Sequence, residues 1–434
     1  MQRAALASWQ IDRFQRDYER FAQGDLGLLP EAELEPVEAL DRLDGLPPQD
    51  WGSELARVVV IKLNGGLGTS MGLDTPKGLL EVVQGRSFLD LTVAQIAHLR
   101  HRTGAALPLL LMNSFHTREP SLAALDRAGL HNPGVPLDFL QSMVPKLNQR
   151  LEPVCHPDQP GLEWCPPGHG EIYAALRESG LLDQLLALGY RYAFVSNIDN
   201  LGAVLDATLL HWFAESGYSF AMEVTERREL DKKGGHLARR RSDRRLLLRE
   251  RAQCPADDLE HFENIHQHRY FNTNNLWLHL EALKRHPLPE LPLIVNRKPV
   301  DPTRPESQPI VQLESAMGAA LSAYPDSQAI EVSRRRFLPV KNLSDLMLLR
   351  SDLYELTSEG QLRCRSDQLP NIALDARYFG TYSGFCQRVK VLPGLLNCRS
   401  LELKGDIHLI GPQQFEGDVR LSNEGPEPLF LPAT

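Results

Sequence analysis

The sequence predicts an α/β protein built on a mainly parallel sheet covered by helices. Three observations predict it. Short apolar runs at 58–61, 109–112, 192–195 and 220–224 read as buried strands, since a strand with one wet face would alternate polar and apolar residues. Helix-length stretches at 88–99 and 172–186 lie among these runs, the alternation that builds parallel crossovers. A glycine-rich segment directly follows the first run, where open sheets of this kind gather their ligands.

Taken in order, residues 1–50 place Phe14, Tyr18 and Phe21 at helical spacing and continue through Leu28, Leu34 and Leu40 among carboxylates, which predicts packing helices. The α/β pattern then occupies 51–385. Within it a basic block carries Arg239, Arg240, Arg241, Arg244, Arg245, Arg249 and Arg251 around a Ser242-Asp243 turn, and reads as a charged, exposed hairpin. Near the end GDIHL at 405–409 is echoed by GDVRL at 417–421. Residues 386–434 are therefore predicted to form short solenoid coils, with an ordinary β-hairpin as the alternative.

Composition narrows the function. A chain of 434 residues exceeds what one core usually organises, and 42% hydrophobic with 24% charged residues is ordinary for a globular protein. The formal charge of −9, and a basic block without interleaved aromatics, argue against nucleic-acid binding. No apolar run is long enough to cross a bilayer, and Arg3, Gln10, Asp12 and Arg13 break the N-terminus where a signal peptide would be apolar. The six cysteines form no CxxC pair, which fits reduced thiols in a cytoplasm better than disulfides or zinc.

Six blocks carry candidate chemistry. KLNGGLGTSMG at 62–72 follows the first buried strand, and its glycines let successive peptide N–H groups surround phosphate oxygens. It is neither a Walker A sequence nor GxGxxG. TPKG at 75–78 adds Lys77, a point charge for a phosphate chain, against the alternative of a surface lysine beside a turn. PPGHGE at 166–171 opens a helix and offers Gly168 for close approach to a base or sugar, with His169 as a donor.

SNIDN at 196–200 ends a buried strand, so Asp199 is the candidate ligand for a hard cation; an Asp-Asn turn would explain the same letters. FNTNNLW at 271–277 puts Asn272 and Asn274 on one strand face, where carboxamides suit sugar hydroxyls; asparagines capping their own backbone are the alternative. RRRFLPVK at 334–341 brings a second cation, Lys341, ahead of a Ser344-Asp345 helix start.

In this order the blocks closely resemble the UTP–glucose-1-phosphate uridylyltransferases, also called UDP-glucose pyrophosphorylases. The match also takes in SFLDLTVAQI, LMNSF, QLESAMGAA and FLPVKNLSDL, and runs from about residue 57 to 350. The resemblance implies a Rossmann-like glycosyltransferase-A type core with a mixed sheet, an N-terminal helical segment and a C-terminal β-helix-like domain. It implies that Leu63, Asn64, Gly65 and Gly66 hold UTP, Lys77 its phosphates, and Gln141 and Gly168 the uracil. His169, Asn197, Asn274, Gly235 and Glu314 would face glucose 1-phosphate, Asp199 would hold Mg²⁺, and Lys341 would lie across the reacting phosphates.

The reaction so implied is reversible: the sugar phosphate attacks the α-phosphorus of UTP and gives UDP-glucose and pyrophosphate. Around Gln141 this chain reads FLQSM, where the family usually has an asparagine before the glutamine and a basic residue after the serine. The short C-terminal segment implies a monomer or weak homodimer. An N-acetylglucosamine 1-phosphate or broad-range pyrophosphorylase is the nearest alternative. A non-catalytic sensor is disfavoured by the presence of Lys77, Asp199 and Lys341, and a dehydrogenase by the glycine spacing.

Overall fold

The run Val58–Asn64 is buried along its whole length. Its side chains alternate between two apolar layers: Val58 and Val60 join one cluster with Phe88, Leu109 and Phe194, and Val59, Ile61 and Leu63 join another with Leu110, Ala193 and Val195. A strand covered on both faces has no wet side, which is why the sequence reads as a continuous apolar run. The computed structural model describes residues 1–301, 304, 306–366 and 368–433.

Eight strands follow one another across the main sheet: Asp41–Arg42, Ser327–Glu331, Phe220–Glu226, Tyr270–His279, Tyr192–Asn197, Val58–Asn64, Leu109–Asn113 and Asp138–Leu140. Every adjacent pair is parallel except the two made by Tyr270–His279, which runs antiparallel to both neighbours. The carboxyl ends of Val58–Asn64, Leu109–Asn113, Asp138–Leu140 and Tyr192–Asn197 therefore open on the same edge. The predicted helix at 88–99 runs Phe88–Thr103, with Ser87 Oγ accepting the Asp90 N–H, Asp90 Oδ2 accepting the Ser87 N–H, and Gly104 closing it at φ 70°.

Three expectations change. The segment 1–50 has one α-helix, Ser8–Ala22, and beyond it only 3₁₀ turns at Glu31–Glu33 and Leu43–Gly45, with Leu34–Glu35 and Asp41–Arg42 pairing into the main sheet. Pro30, Pro36, Pro47 and Pro48 deny it further helical hydrogen bonds. The stretch 172–186 is two helices, Ile172–Glu178 and Leu181–Ala187, broken at Gly180 with φ 77°. The basic hairpin is present as His236–Arg240 against Leu246–Arg249, but only its turn is exposed. Leu246, Leu247 and Leu248 are buried, and Arg249, fully buried, is held by Glu31 at 2.7 Å and Asp258 at 3.1 Å.

Near the C-terminus Asn371–Leu374, Cys398–Lys404 and Gly417–Ser422 pair in parallel, as do Ile407–Leu409 and Leu429–Leu431, so the repeated GD units are not a hairpin. Leu401, Leu403, Ile407 and Leu409 share an apolar cluster with Val58 and Phe88.

Candidate active site

At the carboxyl end of Val58–Asn64 the chain turns into the glycine-rich loop. The loop is fastened to the lysine block by a bridge between Leu67 and Pro76 and by the Lys77 N–H, which donates to the Gly66 carbonyl at 3.1 Å. Lys77 is thereby part of the loop's own architecture. Gln141 lies across Gly65, where a β-carbon would fall 1.8 Å from Gln141 Nε2, so any side chain at 65 would push the Gln141 carboxamide aside. The backbone of Gln141 is fixed by its N–H to the Asn113 carbonyl at 2.9 Å.

The PPGHGE loop packs beside it. Gly168 takes φ 86°, a left-handed conformation that favours glycine, and aims the loop at the cavity. Glu171, which sequence reasoning passed over, accepts the Ser142 N–H at 2.5 Å and so locks the loop of Gln141 to that of His169. Burial raises its carboxyl pKa. His169 Nδ1 accepts the Met317 N–H at 3.1 Å, which leaves the ring proton on Nε2, and burial lowers its pKa to about 4. It is a neutral donor at pH 7.

A cavity of about 360 Å³ is lined by Leu63, Gly65, Gly66, Lys77, Gln141, Gly168, His169, Asn197, Asp199 and Glu314, together with Leu67, Gly68, Met112, Pro166 and Ile198. Ten of the predicted site residues thus meet in one place. Inside it the Lys77 ammonium pairs with the Asp199 carboxylate, both side chains mostly shielded from water. Asp199 presents a carboxylate oxygen to the cavity, the donor type that a hard cation takes alongside phosphates, so the residues present would fit a divalent ion held largely by a phosphate ligand. Glu54, His211 and Glu215 also bring ligand atoms within 4.8 Å of one another, but none of them lines this cavity.

Two residues of the glycine block face away. Lys62 is buried beneath the loop, its Nζ donating to Ser196 Oγ and the Ala203 carbonyl at 2.8 Å each, and burial lowers its pKa to about 7. The Asn64 side chain donates to Asn113 Oδ1 and Ser121 Oγ, also at 2.8 Å, and anchors the loop from below.

Asn274, Gly235 and Lys341 form a second group outside the cavity lining. The register of Phe220–Glu226 against Tyr270–His279 slips between Glu223 and Val224, so Thr273 and Asn274 bulge out. Asn274 adopts φ 57°, a conformation asparagine tolerates, and exchanges hydrogen bonds of 2.8 and 2.9 Å with Asn272. Lys341 Nζ sits 5.7 Å and 5.9 Å from the ring centres of Phe271 and Phe337. Glu250 presses its carboxylate against Gly235, with Oε2 2.6 Å from where a side chain there would begin. Burial raises the Glu250 pKa against the opposing pull of Lys341. The sequence hid Glu250 inside the arginine block; its neighbour Gly235 was the only pointer.

The sequence model of UTP–glucose-1-phosphate uridylyltransferase matches residues 11–413. This chain belongs to that family. A probable UTP–glucose-1-phosphate uridylyltransferase of Schizosaccharomyces pombe is 40% identical over 365 residues, covering 82% of this chain and 71% of the relative. Among solved structures, a UDP-glucose phosphorylase from Trypanosoma brucei superposes with a TM-score of 0.93 at 40% identity, covering 100% of this chain and 95% of the other. A mutant UDP-glucose pyrophosphorylase from Leishmania major, crystallised with UDP-glucose, superposes at 0.92 and 38% identity with the same coverage. No helix of the described residues is long and apolar enough to cross a membrane.

Proposed function

We propose that this chain catalyses the reversible reaction of UTP with glucose 1-phosphate to give UDP-glucose and pyrophosphate. The observation that carries the reading is the convergence of the glycine loop, Lys77, Gln141, His169 and Asp199 on one cavity in a member of this family. An oxygen of the sugar phosphate forms a bond to the α-phosphorus as the bond from that phosphorus to the bridging oxygen breaks, and pyrophosphate leaves with the electron pair. The nucleophile is already an anion, so the protein's work is alignment and charge neutralisation.

Leu63, Gly65, Gly66, Gln141 and Gly168 hold the uridine end, with the Asn64 side chain bracing the loop. Lys77 leaves its pairing with Asp199 for the phosphates, and Lys341 neutralises them from the other side. His169, Asn197, Asn274, Gly235 and Glu314 serve glucose 1-phosphate, and the Glu250 carboxylate beside Gly235 accepts from a sugar hydroxyl. Asp199 holds Mg²⁺, which supplies Lewis-acid neutralisation of phosphate charge when bound.

The chain divides into an N-terminal segment 1–50, a catalytic domain 51–385 and a C-terminal domain 386–434 whose parallel strands are coils of a short β-helix. We place it in the cytoplasm as a monomer or weak dimer. The test is pyrophosphate release from UTP with a panel of sugar 1-phosphates, with and without Mg²⁺; absence of release with glucose 1-phosphate would overturn the reading.

A further inference from the structure

A carboxylate sits in the middle of the core, away from the cavity. Glu223, on the strand Phe220–Glu226, is fully buried, and Arg336 is nearly so. Arg336 grips Glu223 with Nε at 2.8 Å and Nη2 at 2.7 Å. The same carboxylate accepts from Asn275 Nδ2 and Trp277 Nε1, each at 3.0 Å. A buried ion pair is weak support for stability, because apolar residues of equal volume do as well or better. Four donors converging on one buried charge ask for another reason.

The neighbours supply it. Asn200, the residue after Asp199, donates from Nδ2 to Asn275 Oδ1 at 3.2 Å and to the Arg336 carbonyl at 3.1 Å, while its Oδ1 accepts the Leu338 N–H at 2.8 Å. Thr273 Oγ1 donates to the Glu223 carbonyl at 2.6 Å, at the bulge that turns out Asn274. The three segments that carry Asp199, Asn274 and Lys341 are far apart in sequence and are tied here to one another. From Leu338 only Pro339 and the buried Val340 intervene before Lys341, which leaves that backbone little slack.

We infer that Asn200, Glu223 and Arg336 are positioning residues for nucleotidyl transfer, a hub that holds residues 336–341, and with them the Lys341 amine, in register with Asp199 and Asn274. The inference rests on the roles of those three residues proposed above. None of the hub residues lines the cavity, so they act through others.

Asn200→Ala tests the hub without stranding a buried charge. Turnover and KM for both substrates are measured beside UTP affinity by calorimetry and the thermal midpoint, in the wild-type and Lys341→Ala backgrounds. The expected result is a fall in kcat of about 10- to 100-fold, the scale on which displacement by about 1 Å slows a reaction, with UTP affinity held within about 3-fold. In the Lys341→Ala background the same change should cost less than about 3-fold, since the group it positions is gone.

Undiminished kcat in Asn200→Ala, or losses that multiply fully in the double variant, would overturn the hub alone. So would a loss of UTP binding and thermal midpoint in step with kcat, the signature of a residue that is only structural. Near-normal turnover of Lys341→Ala by itself would overturn the role of Lys341 and the hub with it. Asn200→Ser carries the same test if the alanine variant does not fold.

Discussion

The proposed nucleotide end of the site and the proposed sugar end are built in different ways. At the nucleotide end Leu63, Gly65, Gly66 and Lys77 come from one continuous stretch, closed on itself by the Leu67–Pro76 bridge and the Lys77 to Gly66 hydrogen bond. At the proposed sugar end Gly235, Glu250, Asn274 and Lys341 come from the residue before a hairpin strand, the residue after its partner strand, a bulged sheet strand and the approach to a helix. Apart from Gln141 and Gly168, the first end is local and self-supporting. The other depends on how distant segments are packed, so substitutions far from the chemistry reach it more easily.

The largest expected effect falls at the nucleotide end. Lys77→Ala should lower turnover about 10²- to 10³-fold, the scale for losing one charge-stabilising group, while the melting temperature stays near wild type. Turnover within a few-fold of wild type would remove Lys77 from the mechanism. Gly65→Ala should raise the KM for UTP roughly 10-fold, because its β-carbon would displace the Gln141 carboxamide from its place in the cavity, and leave the KM for glucose 1-phosphate nearly unchanged. Equal changes in both constants would show that the two ends are not independent.

At the sugar end Glu250→Gln, which keeps an acceptor oxygen but removes its charge, should raise the KM for glucose 1-phosphate about 5-fold, with UTP unaffected. Unchanged affinity for the sugar phosphate would exclude Glu250 from its site. The smallest effect concerns acid. The folded-state pKa of His169, near 4, lies below the ordinary value of 6.5, so the unfolded chain binds the proton more readily. The stability this contributes is fully present above about pH 6.5 and is lost as pH falls towards 4. His169→Gln should flatten the fall of the thermal midpoint across that window, and a curve parallel to wild type would contradict it.

How much of this could be read from the letters follows the same division. The buried strands, the helix at 88, the glycine loop and the residues after each strand were legible, because both-face burial leaves an apolar run and glycine marks close approach. Glu250 was not, since a carboxylate among seven arginines looks like surface charge balance; only the fold turns it inward beside Gly235. The exposed reading of Arg249 failed similarly, because its partners Glu31 and Asp258 come from elsewhere in the chain. The helices expected across 1–50 gave way where prolines and sheet pairing outweighed a leucine spacing.

The antiparallel strand Tyr270–His279 has a consequence for the order of folding. It separates two parallel sets, 58–197 on one side and 220–331 on the other, and among the described residues it is the sole bridge between Tyr192–Asn197 and Phe220–Glu226 in the sheet. Until it inserts, each set presents a long, apolar, unpaired strand edge, the kind of surface that recruits other chains. Amide exchange protection at 275–278 should therefore report completed assembly of the whole sheet, and a nascent chain stopped short of residue 279 should be the species most in need of a chaperone.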